Sequence, residues 1–201
     1  MDRRSNNIAI FQDSMDLIKA NQKLQQAVQF SIQNQKLYVP SQAIALSEPG
    51  KSSCKTIVSS KRSFEAASAY AKSGKRVCVL NFASATNPGG GVTRGSTAQE
   101  ECLCRCSTLY PCLDTETMWH QFYQPHRKTS DPLYNDDLLY TPGVVIFKTD
   151  TSVPERMEEK DWYQVDIITC AAPNLRKKPS NAMNPSAGNA PVKISEKALY
   201  E

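Results

Sequence analysis

The chain lacks any apolar run approaching the roughly 20 residues that span a bilayer, and its N-terminus lacks the apolar core of a signal peptide. We therefore expect a cytoplasmic protein with no membrane partner. A strong excess of one charge is also missing, because 24 basic residues face 20 acidic ones and the net charge is +4. So small an excess does not predict direct binding to duplex nucleic acid, although it is compatible with a polyanionic ligand.

Histidine is scarce, with only His120 and His126, and this limits the metal sites that the chain can build. Three of its seven cysteines, Cys102, Cys104 and Cys106, lie in the segment CLCRC. Zinc sites usually combine cysteine pairs two to four residues apart with a second pair or with histidines. In a helix, Cys102 and Cys106 share a face whereas Cys104 points elsewhere. We therefore favour packed, reduced thiols over a zinc site, and we expect both histidines to lie on the surface.

Helix signals occupy the N-terminal part of the chain. Apolar residues recur every three to four positions over residues 5–35, which predicts a helix packed on the domain. A shorter helix is predicted over Ser63–Ser73, because Gly74 suits the position after a helix C-terminus. We expect residues 1–40 to form a helical extension and residues 41–201 to form the main domain.

Short apolar runs predict the strands of a sheet. Val77–Leu80 is continuously apolar, as in a strand buried on both faces, and further strands are expected at Val144–Lys148 and Val165–Cys170. A weaker strand candidate lies at residues 54–58. Because strands alternate with helices, we expect an α/β domain of three layers, α/β/α. Sheets of this kind bind their ligands beyond the carboxyl ends of the strands.

The remaining segments carry weaker signals. A helix is predicted to begin near residues 96–97 and to stop at or before Pro111. Residues 114–140 are polar and aromatic, so we expect a long surface loop with helical pieces. Residues 175–192 are rich in Pro, Asn and Ser and indicate a mobile loop, and residues 194–201 look like the start of a helix.

A triplet of glycines, Gly89, Gly90 and Gly91, follows the first of the apolar strands. Adjacent glycines add no packing and cost backbone entropy, so they suit a place where the backbone approaches a ligand. A tight turn between strand and helix explains the triplet equally well by itself. The surroundings match neither a dinucleotide-binding G-x-G-x-x-G motif nor a P-loop, because no GK[ST] follows.

Gln99, Glu100 and Glu101 follow the triplet after seven residues. Carboxylates at the start of a helix interact favourably with the helix dipole, so the two glutamates could serve only to stabilise the helix. Consecutive side chains of a helix point about 100° apart, so we expect at most one glutamate to face a given atom. A carboxyl group placed there suits glycosidic cleavage, because it can protonate a leaving oxygen and afterwards activate water.

The segment NFASATNPGGGVTRGSTAQEECLCRCSTLY resembles the signature of microbial-type poly(ADP-ribose) glycohydrolases, a bacterial branch of the macrodomain family. The resemblance is strongest over residues 76–110 and extends to the N-terminal helix, GVVIFKTD and VDIITCAAPN. It implies a macrodomain-like fold with a mixed central sheet. It also implies hydrolysis of the ribose–ribose O-glycosidic bonds of poly(ADP-ribose), with release of ADP-ribose and without a metal or a cofactor.

The same resemblance implies a role for each residue of the motif. Glu101 is expected to be the catalytic acid and base, and Glu100 is expected to assist it by binding ribose hydroxyls. The ligand-binding residues that it implies are Asn87, Gly89, Gly90, Gly91 and Gln99. Arg94 is a candidate for a phosphate contact, although a solvated loop arginine is the more ordinary interpretation. The expected partners are poly(ADP-ribose), ADP-ribose and ADP-ribosylated proteins.

Members of this family continue beyond the third strand with a helix, a further strand and a second glycine-rich loop around the diphosphate. The glycines after Gly91 are Gly95, Gly143 and Gly188, and none of them lies in a cluster. We therefore expect a macrodomain-like fold that lacks its C-terminal part. Two alternatives to hydrolysis of the polymer stay open: noncatalytic binding of ADP-ribose by an inactive, truncated domain, and hydrolysis of another ADP-ribosyl linkage.

Overall fold

The computed structural model describes residues 2–41, 54–129 and 131–174. Within these ranges no helix combines the length and the apolarity that crossing a membrane requires. The loop predicted over residues 175–192 and the helix predicted over residues 194–201 lie outside the described part of the chain, so both stay predictions.

A mixed four-stranded sheet forms the centre of the fold. Its strands are β1 (Lys36–Tyr38), β2 (Cys78–Phe82), β3 (Leu138–Ile146) and β4 (Tyr163–Cys170), in the spatial order β1-β3-β4-β2. Strand β3 pairs antiparallel with β1 and β4, whereas β2 lies parallel to β4. Together with the helices packed against it, this sheet confirms the predicted α/β class and its mixed topology.

The helices of the described ranges are α1 (Arg3–Ala20), α2 (Gln22–Asn34), α3 (Ser63–Ala71), α4 (Gln99–Cys106), α5 (Leu109–Leu113), α6 (Glu116–Met118) and α7 (Gln124–Thr129). A π-helical segment joins α6 to α7, and a 3-10 turn follows the glycine triplet. Helix α3 confirms the helix predicted before Gly74. Phe64, Leu103 and Leu109 from α3, α4 and α5 belong to the main hydrophobic core, which also contains Val79 of β2.

The predicted N-terminal helix is two helices rather than one. The backbone is extended at Asn21, whose Oδ1 accepts the backbone N–H groups of Lys23 at 2.9 Å and Leu24 at 3.1 Å. These bonds make Asn21 the N-cap of α2. The continuous helix is interrupted because the asparagine side chain satisfies backbone donors that carbonyl groups would otherwise satisfy.

Lys148, which lies just after β3, holds α1 against the domain through a buried ammonium group. Its Nζ donates to the Ile10 carbonyl at 2.7 Å and to Ser14 Oγ at 2.6 Å, and it lies 2.8 Å from Asp13 Oδ2. Burial lowers the pKa of Lys148, and the bond with Asp13 opposes that shift. The domain boundary predicted at residue 40 stays a prediction, but α1 shares a buried polar network with the rest of the fold.

We expect Lys148→Met to lower the free energy of unfolding by about 1–3 kcal/mol, because it removes hydrogen bonds from a side chain that is 1% exposed. Lys23→Met is the matched control, since the ion pair of Lys23 with Glu159 lies on the surface, where such pairs contribute about 0–1 kcal/mol. Chemical denaturation of both variants measures the difference. Equal losses of stability would contradict the role given to Lys148.

Strand β2 was predicted to be buried on both faces, but only one of its faces is buried. Val79 and Asn81 are buried, but Cys78 is exposed, and Leu80 and Phe82 are 45% and 62% exposed in the described part of the chain. The prediction was wrong because an apolar run does not reveal which neighbours cover each face. The buried face of β2 carries Asn81, which points towards the helices that hold the motif residues.

One other prediction from local pattern was also wrong. Residues 54–58 are exposed and form no strand, because a short β-prone run becomes a strand only beside a sheet edge. The helix predicted from residues 96–97 stops before Pro111, as expected: α4 begins at Gln99 and ends at Cys106. Pro111 itself lies in the first turn of α5, where its missing N–H breaks no helical bond.

The segment 114–140 contains the helical pieces that were predicted, namely α6, the π-helical segment and α7. It is not wholly a surface loop, however, because Phe122 is fully buried. His126 is 3% exposed, so its predicted surface position was wrong. Its ring packs edge-on against Phe122, and Asp137 Oδ1 gives Nε2 a buried partner at 3.0 Å. His120 is exposed, as predicted.

Candidate active site

The motif residues meet at the carboxyl end of β2, where the α/β pattern predicts a ligand site. The loop 87–91 and the N-terminus of α4 border a cavity of about 860 Å³ there. The motif residues that line it are Asn87, Gly90, Gly91, Arg94, Glu100 and Glu101. A cavity of this volume is large enough for a small-molecule ligand.

The carboxyl group of Glu101 is held at one oxygen and unpaired at the other. Its Oε1 accepts the backbone N–H of Gly91 at 2.8 Å. Its Oε2 is buried and has no hydrogen-bond partner among the described residues, and the whole residue is 6% exposed. Buried polar atoms without a partner are rare in proteins, so this oxygen is a candidate for contact with a ligand.

Glu100 is buried too, and both of its carboxyl oxygens have partners. Oε2 accepts the backbone N–H of Ser84 at 2.8 Å, and Oε1 accepts the side-chain amide of Asn81 at 3.4 Å. The pKa of Glu100 is raised to about 8, mainly because burial outweighs these two bonds and also because Glu101 lies nearby. Glu100 is therefore largely neutral at pH 7 and can both donate and accept hydrogen bonds.

The raised pKa of Glu100 predicts that the fold loses stability as pH rises. Between 4.5, its ordinary value, and about 8, the folded chain keeps a proton that the unfolded chain has released. The stabilisation is complete below pH 4.5 and is lost as the pH passes about 8. We expect a loss on the order of 3–5 kcal/mol. Denaturation of the native chain and of Glu100→Gln across this range tests it, and the same pH dependence in both would contradict it.

The two carboxyl groups approach the same glycine. A Cβ atom placed on Gly90 would lie 2.6 Å from Glu101 Oε1 and 3.0 Å from Glu100 Oε2. The expectation that at most one glutamate faces a given atom was wrong, because the glycine loop lies across the helix N-terminus and both side chains turn towards it. Gly90 also has φ +58°, a left-handed conformation that favours glycine. This position requires glycine for its backbone and for the space beside it.

Gly89 and Gly91 are explained by closely packed neighbours. A Cβ on Gly89 would lie 2.7 Å from the ring of Tyr110, and one on Gly91 would collide with Ser96 Oγ. Gly91 lines the cavity, whereas Gly89 is not among the described residues that do. Gly89 therefore shapes the loop from its packed side, and Gly91 shapes it beside Glu101.

Asn87 is oriented by a residue that the sequence pattern did not indicate. Arg127 Nη2 donates to Asn87 Oδ1 at 2.6 Å, and its Nε donates to the Thr86 carbonyl at 2.7 Å. The guanidinium also lies over the Trp119 ring, 4.6 Å from the ring centroid. Arg127 is 40 residues from Asn87 in the chain, so no local spacing pointed to it.

Gln99 joins α4 to the edge of β2. Its Nε2 donates to the Leu80 carbonyl at 2.7 Å, and its Oε1 accepts the N–H of Phe82 at 2.9 Å. The side-chain amide thus binds the edge of β2 as a neighbouring strand would. Gln99 is not among the described residues that line the cavity, so the structure places it beside the site as a support for α4.

Arg94 borders the cavity with an exposed side chain that makes no hydrogen bond or ion pair within the described ranges. Its backbone is fixed by α1, since Arg4 Nε donates to the Arg94 carbonyl at 2.7 Å. Asn7 Nδ2 donates to the next carbonyl, that of Gly95, at 3.1 Å. The site therefore has a cation at its border, on a turn that is held in place.

The cysteines of α4 are packed into the fold to different degrees. Cys104 and Cys106 are fully buried, and burial raises the pKa of each thiol well above its usual range. Cys102 is partly exposed. Among the residues that the structure describes, no three His, Cys, Asp or Glu side chains are close enough to hold a metal ion.

Comparison with known proteins identifies the family of this site. Residues 8–149 match the family model of the microbial-type PARG catalytic domain, where PARG denotes poly(ADP-ribose) glycohydrolase. The chain belongs to this family. The predicted resemblance is thereby confirmed over the two N-terminal helices, the glycine triplet, the glutamate pair and β3. Among curated proteins, no match to the chain was found.

Solved structures of bacterial PARGs have the same fold. PARG from Thermomonospora curvata is 31% identical with a TM-score of 0.72, and the match covers 85% of this chain and 65% of that one. PARG from Deinococcus radiodurans, solved in complex with ADP-ribose, is 32% identical with a TM-score of 0.59, over 73% and 58% of the two chains. The chain thus spans less than two thirds of the length of these PARGs.

Proposed function

We propose that the chain hydrolyses the ribose–ribose O-glycosidic bonds of poly(ADP-ribose) and releases ADP-ribose, with Glu101 as acid and base. The observation that carries the proposal is Glu101 Oε2, a buried carboxyl oxygen without a partner in the described residues, on a residue that lines the cavity. Related PARGs support the ligand class, because one was solved with ADP-ribose and one with the inhibitor ADP-HPD.

In the first step, Glu101 protonates the ribose 2′-oxygen that leaves as the glycosidic bond breaks. The proton comes from Oε2, because Oε1 is occupied by the N–H of Gly91. Positive charge develops at the anomeric carbon of the other ribose, giving an oxocarbenium-like centre. The Gly91 bond fixes the orientation of the carboxyl group, which reduces the entropy lost in reaching this arrangement.

In the second step, the Glu101 carboxylate removes a proton from water as the water oxygen bonds to the anomeric carbon. Glu101 regains its proton, and the ribose that was cleaved now carries a hydroxyl group. One residue thus serves as acid and then as base, and the reaction needs no metal or cofactor for its proton transfers.

Glu100 binds ribose hydroxyls in this proposal and keeps the charge of the site low. Its neutral carboxyl group at pH 7 adds no negative charge beside a ligand that carries a diphosphate. Asn81 and Ser84 hold both of its oxygens, so the group is already oriented before a ligand binds. Its ionisation above pH 8 would add a negative charge beside Gly90.

The rest of the ligand lies along the loop and its cationic border. Gly90 and Gly91 let the distal ribose and the diphosphate approach the backbone, and Asn87, held by Arg127, supplies a polar contact to ribose. Arg94 binds a phosphate group, because its guanidinium borders the cavity without a competing carboxylate in the described ranges. Gln99 contributes by holding α4 in place.

We infer that the physiological substrate is polymer attached to ADP-ribosylated proteins in the cytoplasm. The small positive net charge of +4 is compatible with such a polyanion. Neither a membrane nor direct binding to duplex nucleic acid has a part in this proposal. Residues 1–40 serve as an extension that packs on the domain and fixes the turn after the glycine triplet.

The decisive test is incubation of the chain with purified poly(ADP-ribose), followed by chromatographic measurement of free ADP-ribose. A calorimetric titration with ADP-ribose runs in parallel. Release of ADP-ribose is expected. Binding of ADP-ribose without release would support the noncatalytic alternative, and the absence of both would overturn the proposal.

A further inference from the structure

A second, smaller cavity lies beside the first half of α4. Its volume is about 230 Å³, and it is lined by Arg62, Ser63, Thr97, Gln99, Cys102 and Asp150, with Leu103 beside them. Cys102 directly follows Glu101 in α4 and is partly exposed. This cavity therefore gives small molecules a path to a thiol that is one residue from the proposed acid and base.

Two guanidinium groups are directed at the sulfur of Cys102. Arg62 Nη2 lies 3.0 Å from Sγ and Arg105 Nη2 lies 3.3 Å from it. Arg62 is held in this position because its Nε donates to the buried Asp150 carboxylate at 2.7 Å. Cysteines beside arginine are those that form thiolates and react in proteins, because the cation stabilises the negative sulfur.

Arg105 is the more informative of the two arginines. It is 2% exposed, forms no ion pair with a carboxylate within the described ranges, and its Nε is buried without a partner. Its other contacts are the Ser96 carbonyl at 2.7 Å and the Cys102 sulfur. A buried charge is normally paired or fully hydrogen-bonded. The sulfur of Cys102 is the side-chain atom that this guanidinium contacts.

The other thiols of the described ranges lie in different surroundings. Cys104, Cys106 and Cys112 are fully buried, and burial raises the pKa of each. Burial also raises the pKa of Cys78 and Cys170. Cys54 is exposed and has no contact with a guanidinium group within the described ranges. Cys102 is the thiol that combines a cavity with contacts to two guanidinium groups.

We propose that Cys102 is a modification site, which reacts first with peroxides and thiol-directed electrophiles and thereby controls the neighbouring glutamate site. With hydrogen peroxide, the thiolate attacks one oxygen, so that an S–O bond forms and the O–O bond breaks. Hydroxide leaves and takes up a proton to become water. The sulfur is oxidised by two electrons to a sulfenic acid, and the peroxide is reduced.

The proposed control of the glutamate site by Cys102 depends on the contacts that Arg105 makes, and it rests on the function proposed above. Its Nη1 fixes the Ser96 carbonyl, and Ser96 Oγ packs against Gly91, whose N–H orients Glu101. Oxidation changes the size and the polarity of the group that Arg105 Nη2 contacts at 3.3 Å. A shift of the guanidinium in response releases Ser96 and therefore loosens the Gly91 contact that aligns the proposed catalytic carboxyl group.

Labelling of the intact chain with limiting iodoacetamide, read by peptide mass spectrometry, tests the site without reference to activity. We expect Cys102 to be alkylated at least about tenfold faster than Cys54, an exposed thiol that serves as the control. Arg62→Lys keeps a cation for Asp150 but shortens the reach to the sulfur, so we expect slower labelling of Cys102. Equal rates at Cys102 and Cys54 in the native chain would overturn the proposal.

Activity after treatment with hydrogen peroxide tests whether oxidation of Cys102 controls the glutamate site. ADP-ribose release by the native chain and by Cys78→Ser is expected to fall in step with oxidation of Cys102, whereas Cys102→Ser is expected to keep its activity. Equal inactivation of Cys102→Ser would overturn the regulatory part. If the untreated chain releases no ADP-ribose, the proposed function fails, and the labelling rates still decide whether Cys102 is the reactive site.

Discussion

Glu101→Gln is expected to reduce ADP-ribose release from poly(ADP-ribose) by a factor of about 10²–10⁴, the usual contribution of a positioned acid and base. The amide oxygen of glutamine can still accept the N–H of Gly91, which Glu101 Oε1 accepts at 2.8 Å in the native chain. The loop should therefore keep its shape. What glutamine cannot do is donate a carboxyl proton to the leaving oxygen or remove a proton from water.

The measurements are initial rates of ADP-ribose release and the affinity for ADP-ribose from calorimetry. Affinity should change little, because the fold and the carboxamide geometry are preserved. Glu116→Gln is the matched control, since the Glu116 side chain is 92% exposed and should leave the rate unchanged. A Glu101→Gln rate within threefold of the native rate would assign the chemistry to another group.

Gly90→Ala is the second substitution with a large expected effect. Alanine at φ +58° costs about 1–2 kcal/mol of backbone strain, and its Cβ would lie 2.6 Å from Glu101 Oε1. Since it also lies 3.0 Å from Glu100 Oε2, the methyl group must displace both carboxyl groups or the loop itself. Misplacement of catalytic groups by about 1 Å can cost roughly 10²-fold in rate, so we expect a loss of at least this size.

Gly74→Ala separates the effect of strain from the effect on the site. Gly74 has φ +78°, but a Cβ there would meet nothing within 4 Å. Both alanine variants should lose stability in thermal denaturation through backbone strain, and Gly90→Ala should lose more because of its close contacts, but only Gly90→Ala should lose ADP-ribose release. Rates are compared at a temperature where circular dichroism shows both variants to be folded. Retention of native activity by Gly90→Ala would show that the loop and carboxyl groups adapt to a methyl group.

The two predicted losses have different signatures, because they act on different parts of the proposed mechanism. Glu101→Gln removes a proton donor and leaves the cavity as it is, so turnover falls while ADP-ribose still binds. Gly90→Ala occupies the space beside two carboxyl groups, so affinity and turnover should fall together. A variant that loses affinity but keeps turnover is altered in ligand binding, whereas one that loses turnover but keeps affinity is altered in the proton transfers.

The elements that could be predicted from the sequence are those that local pattern controls. One apolar run located the last three residues of β3, another located most of β4, and a Gly-terminated segment located α3, because burial and capping act over a few residues. The spacing of the glycine triplet and QEE located Glu100 and Glu101, and the structure brings both to Gly90. Asn81 had a local signal that was not used, since it is a polar residue inside an apolar run.

The errors concern contacts between distant parts of the chain. His126 is buried because Asp137 and Phe122 surround it, and Leu80 and Phe82 are exposed because the described helices pack on the other face of β2. No pattern within a strand or loop states which neighbours fold over it. Residues 54–58 have the composition of a strand, but they pair with no strand of the described sheet.

The sequence alone determined the α/β class, the family and the position of the loop and glutamates that form the site, because short-range spacing encodes each of these. Tertiary structure decided which oxygen of Glu101 is free, how Glu100 is held by Asn81, and that Arg127 orients Asn87 from 40 residues away. These depend on hydrogen bonds between elements that are distant in the chain. Such bonds form only when burial has brought the elements together, so the order of residues does not specify them.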